Sequence, residues 1–211
     1  MVGSFNPSIF HPMWFAKYEL IANADAEAAE VRIVSSDFAS FSTSIFDIAV
    51  AHDKFVVSTE RAPFGILRDL ATGVFTLLDH TPIKMMGINL EEHYRMSSAD
   101  LLNTLGFDIV PPDRWRTFMK DPAMRSVIIQ GKRTDGNKGL VVIRVEPSTR
   151  VSNGVFFQHN DHFDFGQDAS DAHEALVVLR ESFDDSIKTA QEASSHILDI
   201  DISTKVDSIN G

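Results

Sequence analysis

The hydrophobic positions of this chain follow two periods. From Met124 to Phe165 they form three apolar runs, MRSVIIQGKR, LVVIRVEPST and GVFFQHNDHFDF, separated by short polar clusters. TDGNKG between the first two supplies the Gly, Asn and Asp that a tight reversal needs, and Asn153-Gly154 marks the next reversal. The stretch therefore predicts three consecutive antiparallel strands. Another hairpin is predicted from Phe41–Val50 and Phe55–Thr59 around Ala51-His52-Asp53-Lys54, with Phe46, Ile48 and Val50 on one face. Pro82–Leu90 predicts a further strand, in which Gly87 marks a bulge or a close backbone approach.

Elsewhere the spacing is three and four. Phe64, Leu67, Ala71, Val74 and Leu78 follow Pro63 and predict an amphipathic helix of about four turns. Leu176, Leu179, Phe183, Ile187, Ala190 and Ile197 hold one stripe along a helix from about Asp171 to Asp199. Asp171 and Glu174 at its start have the spacing of a capping box. Shorter helices are predicted after Pro12, from Ser97/Ser98 to a stop at Gly106, and at Pro111-Pro112-Asp113, the last carrying Trp115 and Phe118. Residues 1–9 and 200–211 are expected to be loose ends. Strands and helices without regular alternation define an α+β fold. The expectation is one domain over residues 1–211, a mainly antiparallel sheet of about six strands covered by two long amphipathic helices.

The order of elements from Phe41 to Leu198, with Gly87-Ile88-Asn89 ending the strand after the first long helix, resembles a sporadically distributed, uncharacterised family of bacterial proteins of similar size. The chain departs from that pattern at the His11-Pro12 lead-in and at Pro111-Pro112. The resemblance implies a sheet-plus-two-helices protein and assigns no active site.

Charge and composition narrow the functions. Thirty acidic residues against 19 basic ones give a net charge of −11, which repels phosphate backbones and anionic lipid, so no nucleic acid is expected as a partner. The densest basic stretch holds Arg114, Arg116, Lys120, Arg125, Lys132, Arg133 and Lys138, read as solvated loop and helix-end charges. With no cysteine, disulfides, thiolate metal sites and a cysteine nucleophile are excluded. That fits a reducing compartment, and a cytoplasmic location is expected. No apolar run approaches the roughly 18 residues that span a bilayer, so no membrane association is expected.

The sharpest chemical candidate is His159-Asn160-Asp161-His162, since His and carboxylate suit a divalent metal. On a regular strand His159 and Asp161 share a face, whereas His162 points away. Glu91-Glu92 is read as a turn and Asp184-Asp185 as a solvated helix face. Gly-x-Ser-x-Gly, helical zinc motifs and phosphate-cradling loops are absent, and no cofactor is expected. Glu146, Pro147 and Ser148, where Pro147 has no N–H to donate, are interaction candidates at an expected strand edge, together with Asn160. The functional expectation is a non-enzymatic protein-interaction or assembly module of a bacterial cytoplasmic system, acting through a protein partner or self-association. The alternatives are a metal-assisted hydrolase built on His159, Asp161 and His162, or a small-molecule binding protein with a Phe-rich cavity.

Overall fold

The computed structural model describes residues 1–198; the expected loose end 200–211 lies outside them. The strands are β1 (Val2–Gly3), β2 (Glu30–Val34), β3 (Phe38–Ser42), β4 (Asp47–Ala51), β5 (Phe55–Ser58), β6 (Ile83–Arg95), β7 (Val127–Lys132), β8 (Gly139–Pro147) and β9 (Gly154–Asp164). The α-helices are α1 (Pro12–Lys17), α2 (Asn23–Glu27), α3 (Gly65–Leu77), α4 (Ala99–Ile109) and α5 (His173–Leu198). The fold is α+β with antiparallel sheets, as the pattern predicts, but there are two sheets and more strands than expected. One has the order β2-β3-β4-β5 and the other β1-β6-β9-β8-β7. Among the described residues no helix is long and apolar enough to cross a membrane.

The extra strands have local causes. Phe41–Val50, expected as one strand, is cut by a turn in which Thr43 N donates to Phe46 O at 2.9 Å. Thr43 Oγ1 accepts from Ile45 N and Phe46 N, a hydroxyl turn that competes with the ladder. β3 and β4 pair across it from Phe38↔Ala51 to Ser42↔Asp47. β2 is exposed at every residue, so it shows no inside–outside alternation by which a sequence would reveal it.

The chain divides into two compact units. The first comprises Met1–Gly87 and Phe163–Asp184. Its core is a set of phenylalanines: Phe5, Phe10, Phe15, Phe41, Phe55 and Phe75 are all buried. Ring centroids lie 5.0 Å apart for Phe55–Phe75, 5.3 Å for Phe15–Phe41 and 5.7 Å for Phe10–Phe55. Tilted and edge-on pairs of this kind add about 0.5–1.5 kcal/mol each beyond their buried area. α3 buries Leu70, Ala71, Val74 and Phe75 into this unit, a stripe turned slightly from the predicted one. Ala172 and the start of α5, through Ala175, Leu176, Leu179 and Phe183, contribute as well. Arg68 Nη1 on α3 meets Asp184 Oδ2 on α5 at 2.7 Å.

The lead-in is not loose. β1 pairs with β6 through Val2↔Met85 and Gly3↔Ile83. On its other side Gly3 N donates to Asp53 O (3.1 Å), Phe5 N to His52 O (2.8 Å) and Phe55 N to Met1 O (2.9 Å). Gly3 is required by proximity: a Cβ there would lie 2.2 Å from Pro82 O.

The second unit comprises Ile88–His162 and, among the described residues, Asp185–Leu198. β6 runs on to Arg95, past the predicted end at Leu90, because its alternate residues Ile88, Leu90, Glu92 and Tyr94 are all buried. The predicted turn at Glu91-Glu92 is thus the middle of a strand. Tyr94, Met96, Leu105, Val145, Val155, Phe157 and Leu198 form the core, with Ala193 and Ile197 packed against it. Ser98 caps α4 by accepting from Leu101 N at 3.2 Å. Gly106, the predicted stop, lies buried inside α4, which ends only after Ile109. The three predicted strands are present. β7 and β8 pair from Val127↔Val145 to Lys132↔Leu140 around a tip where Gly136 adopts φ +84°. Asn153 turns β8 into β9 at φ +53°.

Candidate functional site

Topology sets the first feature of the second unit. β7 is the last strand in its sheet, so among the described residues no strand pairs with its outer side. Five of its six residues are exposed, and Ile128 and Ile129 are each 63% exposed. Being adjacent in a strand, these two isoleucines offer aliphatic surface on opposite faces. The segment before β7 is also open: Trp115, Phe118 and Met119 are exposed, Phe118 at 80%. The helix turn predicted there is a single 3-10 turn, Pro112–Arg114, that buries none of its residues.

The edge predicted at Glu146–Ser148 is elsewhere. β8 lies between β9 and β7, and the three residues lead into the β8–β9 turn. Glu146 Oε2 accepts from Arg144 Nε and Nη2 at 2.9 and 2.7 Å. Ser148 N donates to Gly154 O at 2.8 Å. Ser148 Oγ accepts from Arg150 N and Val151 N and lies 2.8 Å from His93 Nδ1. Pro147 is exposed but stands within this turn structure. A proline marks where one ladder ends; it does not reveal which strand lies outermost.

The second feature is a buried polar face. Along β9 burial alternates, so His159 and Asp161 lie on the inner face with Phe157, while Asn160 and His162 lie half-buried on the other. Of the metal candidates, the fold therefore brings His159 and Asp161 together and separates His162. Asp161 is engaged by Arg133, whose Nη1 donates to Oδ1 at 2.9 Å with both side chains 5% exposed. Arg133 also binds Asp135 through Nε at 3.0 Å and Nη2 at 2.5 Å. The hydrogen bond from Arg133 holds the Asp135 carboxyl down at about 2, against the cost of its partial burial. Burial works against charge on Arg133, yet its bonds to Asp135 and the charge of Asp161 raise its pKa overall. Burial lowers the pKa of His159, opposed by Asp161 and assisted by Arg133. Among the described residues no three His, Asp or Glu side chains are arranged to hold a metal ion.

On the same face of β6, Tyr94 donates its hydroxyl to Glu92 Oε2, and its oxygen lies 2.7 Å from Ser194 Oγ on α5. All three residues are buried. Burial, and then the neighbouring Glu92 carboxylate, raise the Tyr94 pKa. Asn160 Oδ1 on the opposite face is buried without a hydrogen-bond partner among the described residues. Both polar sets are held by internal partners.

The first unit carries two open surface clefts. One, of about 360 Å³, is lined by Phe5, Ile9, Phe10, Leu77 and Leu78. The other, of about 410 Å³, is lined by Thr76, His80, Asp171, His173 and Arg180.

Arg133, Glu92, Tyr94 and Ser194 carry the polar chemistry and were not singled out by sequence. In the sequence Arg133 has the pattern of a solvated charge and Glu92 that of a turn residue. No protein-family model, curated protein or solved structure matches this chain.

Proposed function

We propose that this protein is a non-enzymatic interaction module that recruits a protein partner by adding the partner's strand to β7. The observation that carries the reading is the exposed edge itself, with Ile128 and Ile129 at 63% exposure on a strand whose outer side pairs with no strand among the described residues. Natural sheets blunt such edges with bulges, prolines, charges or a covering element; an open aliphatic run such as Val127–Ile129 is a template for a second chain. Main-chain hydrogen bonds would supply affinity, and the isoleucines on the two faces would select side chains. The exposed Trp115, Phe118 and Met119 are of the residue types enriched at interfaces. The buried groups Arg133, Asp161, Glu92 and Tyr94 are held in internal pairs, which favours a binding role over catalysis. The proposed setting is the bacterial cytoplasm, consistent with a chain that has no cysteine.

Selection of peptides from a randomised display library tests the proposal. Enriched sequences should bind the wild-type chain and lose affinity for an Ile128→Gln/Ile129→Gln variant. Equal binding to both would remove β7 as the docking site.

A further inference from the structure

We infer that the strand accepted by β7 is acidic: an extended peptide segment with aliphatic residues at its centre and Asp or Glu at its flanks. This rests on the reading of β7 as the docking edge and adds the chemistry of the partner. The chain as a whole is strongly acidic, yet Pro111–Lys138 contains seven of its nineteen Lys and Arg and only three of its thirty Asp and Glu. Two of the seven are committed, Arg116 to Asp113 at 2.7 Å and Arg133 to Asp135 and Asp161. Arg125, Lys132 and Lys138 are exposed and form no ion pair with a described residue. Arg125 precedes the strand by two positions, Lys132 ends it, and Lys138 closes the hairpin onto β8. The edge is thus an aliphatic centre between cationic ends, and its complement is an aliphatic centre between carboxylates.

The same charges argue against two other occupants. In a twofold antiparallel pairing of β7 with a second copy, centred on Ile129, the Arg125 end of one chain meets the Lys132 end of the other. Like charges placed opposite one another on adjacent strands oppose that pairing. A nucleic acid would satisfy the cations, but its phosphate backbone has no use for Ile128 and Ile129. It would also bring many charges against a chain of net charge −11.

The experiment is fluorescence anisotropy on the intact protein with four labelled probes. Three are peptides sharing an Ile/Val centre, with Asp and Glu, Asn and Gln, or Lys at the flanks; the fourth is a single-stranded oligonucleotide of the acidic peptide's charge. At low salt the acidic peptide should bind about tenfold more tightly than the neutral one, as expected if each of two or three flanking ion pairs contributes a few tenths to 1 kcal/mol. Reversal of the edge charges by Arg125→Glu/Lys132→Glu should shift the preference to the Lys peptide. Ile128→Gln/Ile129→Gln should weaken all three peptides. If the neutral peptide binds as well as the acidic one and charge reversal changes nothing, while the isoleucine variant still loses binding, the acidic inference fails and the docking edge survives. If no peptide binds, both fail. An oligonucleotide that binds more tightly than the acidic peptide and displaces it would replace the peptide by a nucleic acid.

Discussion

Arg133 and Asp161, 28 positions apart in sequence, form an ion pair of 2.9 Å with both side chains 5% exposed. Removing one member of such a pair leaves the other charge buried, at a cost of about 3–5 kcal/mol, whereas replacing both by apolar groups can be nearly neutral. Asp161→Ala and Arg133→Met should each lower stability by that amount in denaturant titrations. The double variant should recover most of the loss. Single variants within about 0.5 kcal/mol of wild type would show that the pair is solvated in the native state.

Stability should fall in mild acid. His159 has a pKa lowered by burial, and His93 one lowered by burial and by Arg150. Since the folded values lie below the unfolded value of about 6.5, the unfolded chain takes up protons that the folded chain refuses. The stability these two rings contribute is therefore fully present above about pH 6.5 and is lost as the pH falls toward their folded values. Melting temperatures from pH 8 to pH 5 should show this slope, reduced in His159→Gln and in His93→Asn. An unchanged slope in both variants would mean that neither ring is kept neutral by the fold.

Tyr94 should resist ionisation until the protein unfolds, because burial and Glu92 both oppose a phenolate there. In a Tyr18→Phe background Tyr94 is the only tyrosine. Its tyrosinate absorbance should then rise together with alkaline loss of the far-ultraviolet circular dichroism signal. A rise well before unfolding would place the hydroxyl in water. Tyr94→Phe removes a hydrogen bond to a carboxylate and should cost about 1.5–3 kcal/mol.

The long helix should be indispensable. Leu176, Leu179 and Phe183 are buried in the first unit, Phe183 at 5% exposure, and Leu198 is buried in the core of the second. Phe183→Ala should cost about 3–5 kcal/mol, against a typical total stability of about 5–15 kcal/mol. A chain ending at Gln167 should unfold or aggregate. A sharp, near-native melting transition in that truncated chain would contradict the core role of α5.

The hairpins were legible because their signals are local. Gly136 and Asn153 stand where positive φ is needed, and apolar runs flank both. The stripe of α5 was legible for the same reason, since Leu176, Leu179 and Phe183 keep helical spacing over a long run. What sequence could not reveal depended on pairing at a distance. β2 has no buried face, and β1 is two residues held by Asp53 and by β6. Glu92 reads as a turn residue until Tyr94 and Ser194 are known to enclose it. The apolar run of β7 marks a strand, but strand order is a long-range property, and Pro147 marks only where a ladder ends, not which strand lies outermost.

The central claim is that β7 accepts a strand. Hydrogen–deuterium exchange of the intact protein, with and without the acidic Ile/Val peptide at saturation, measures it directly. The expected result is slowed exchange concentrated in Val127–Lys132, where outward amides gain partners, with the inner strand β9 unchanged. Saturable peptide binding that leaves Val127–Lys132 unprotected and protects another segment would contradict it.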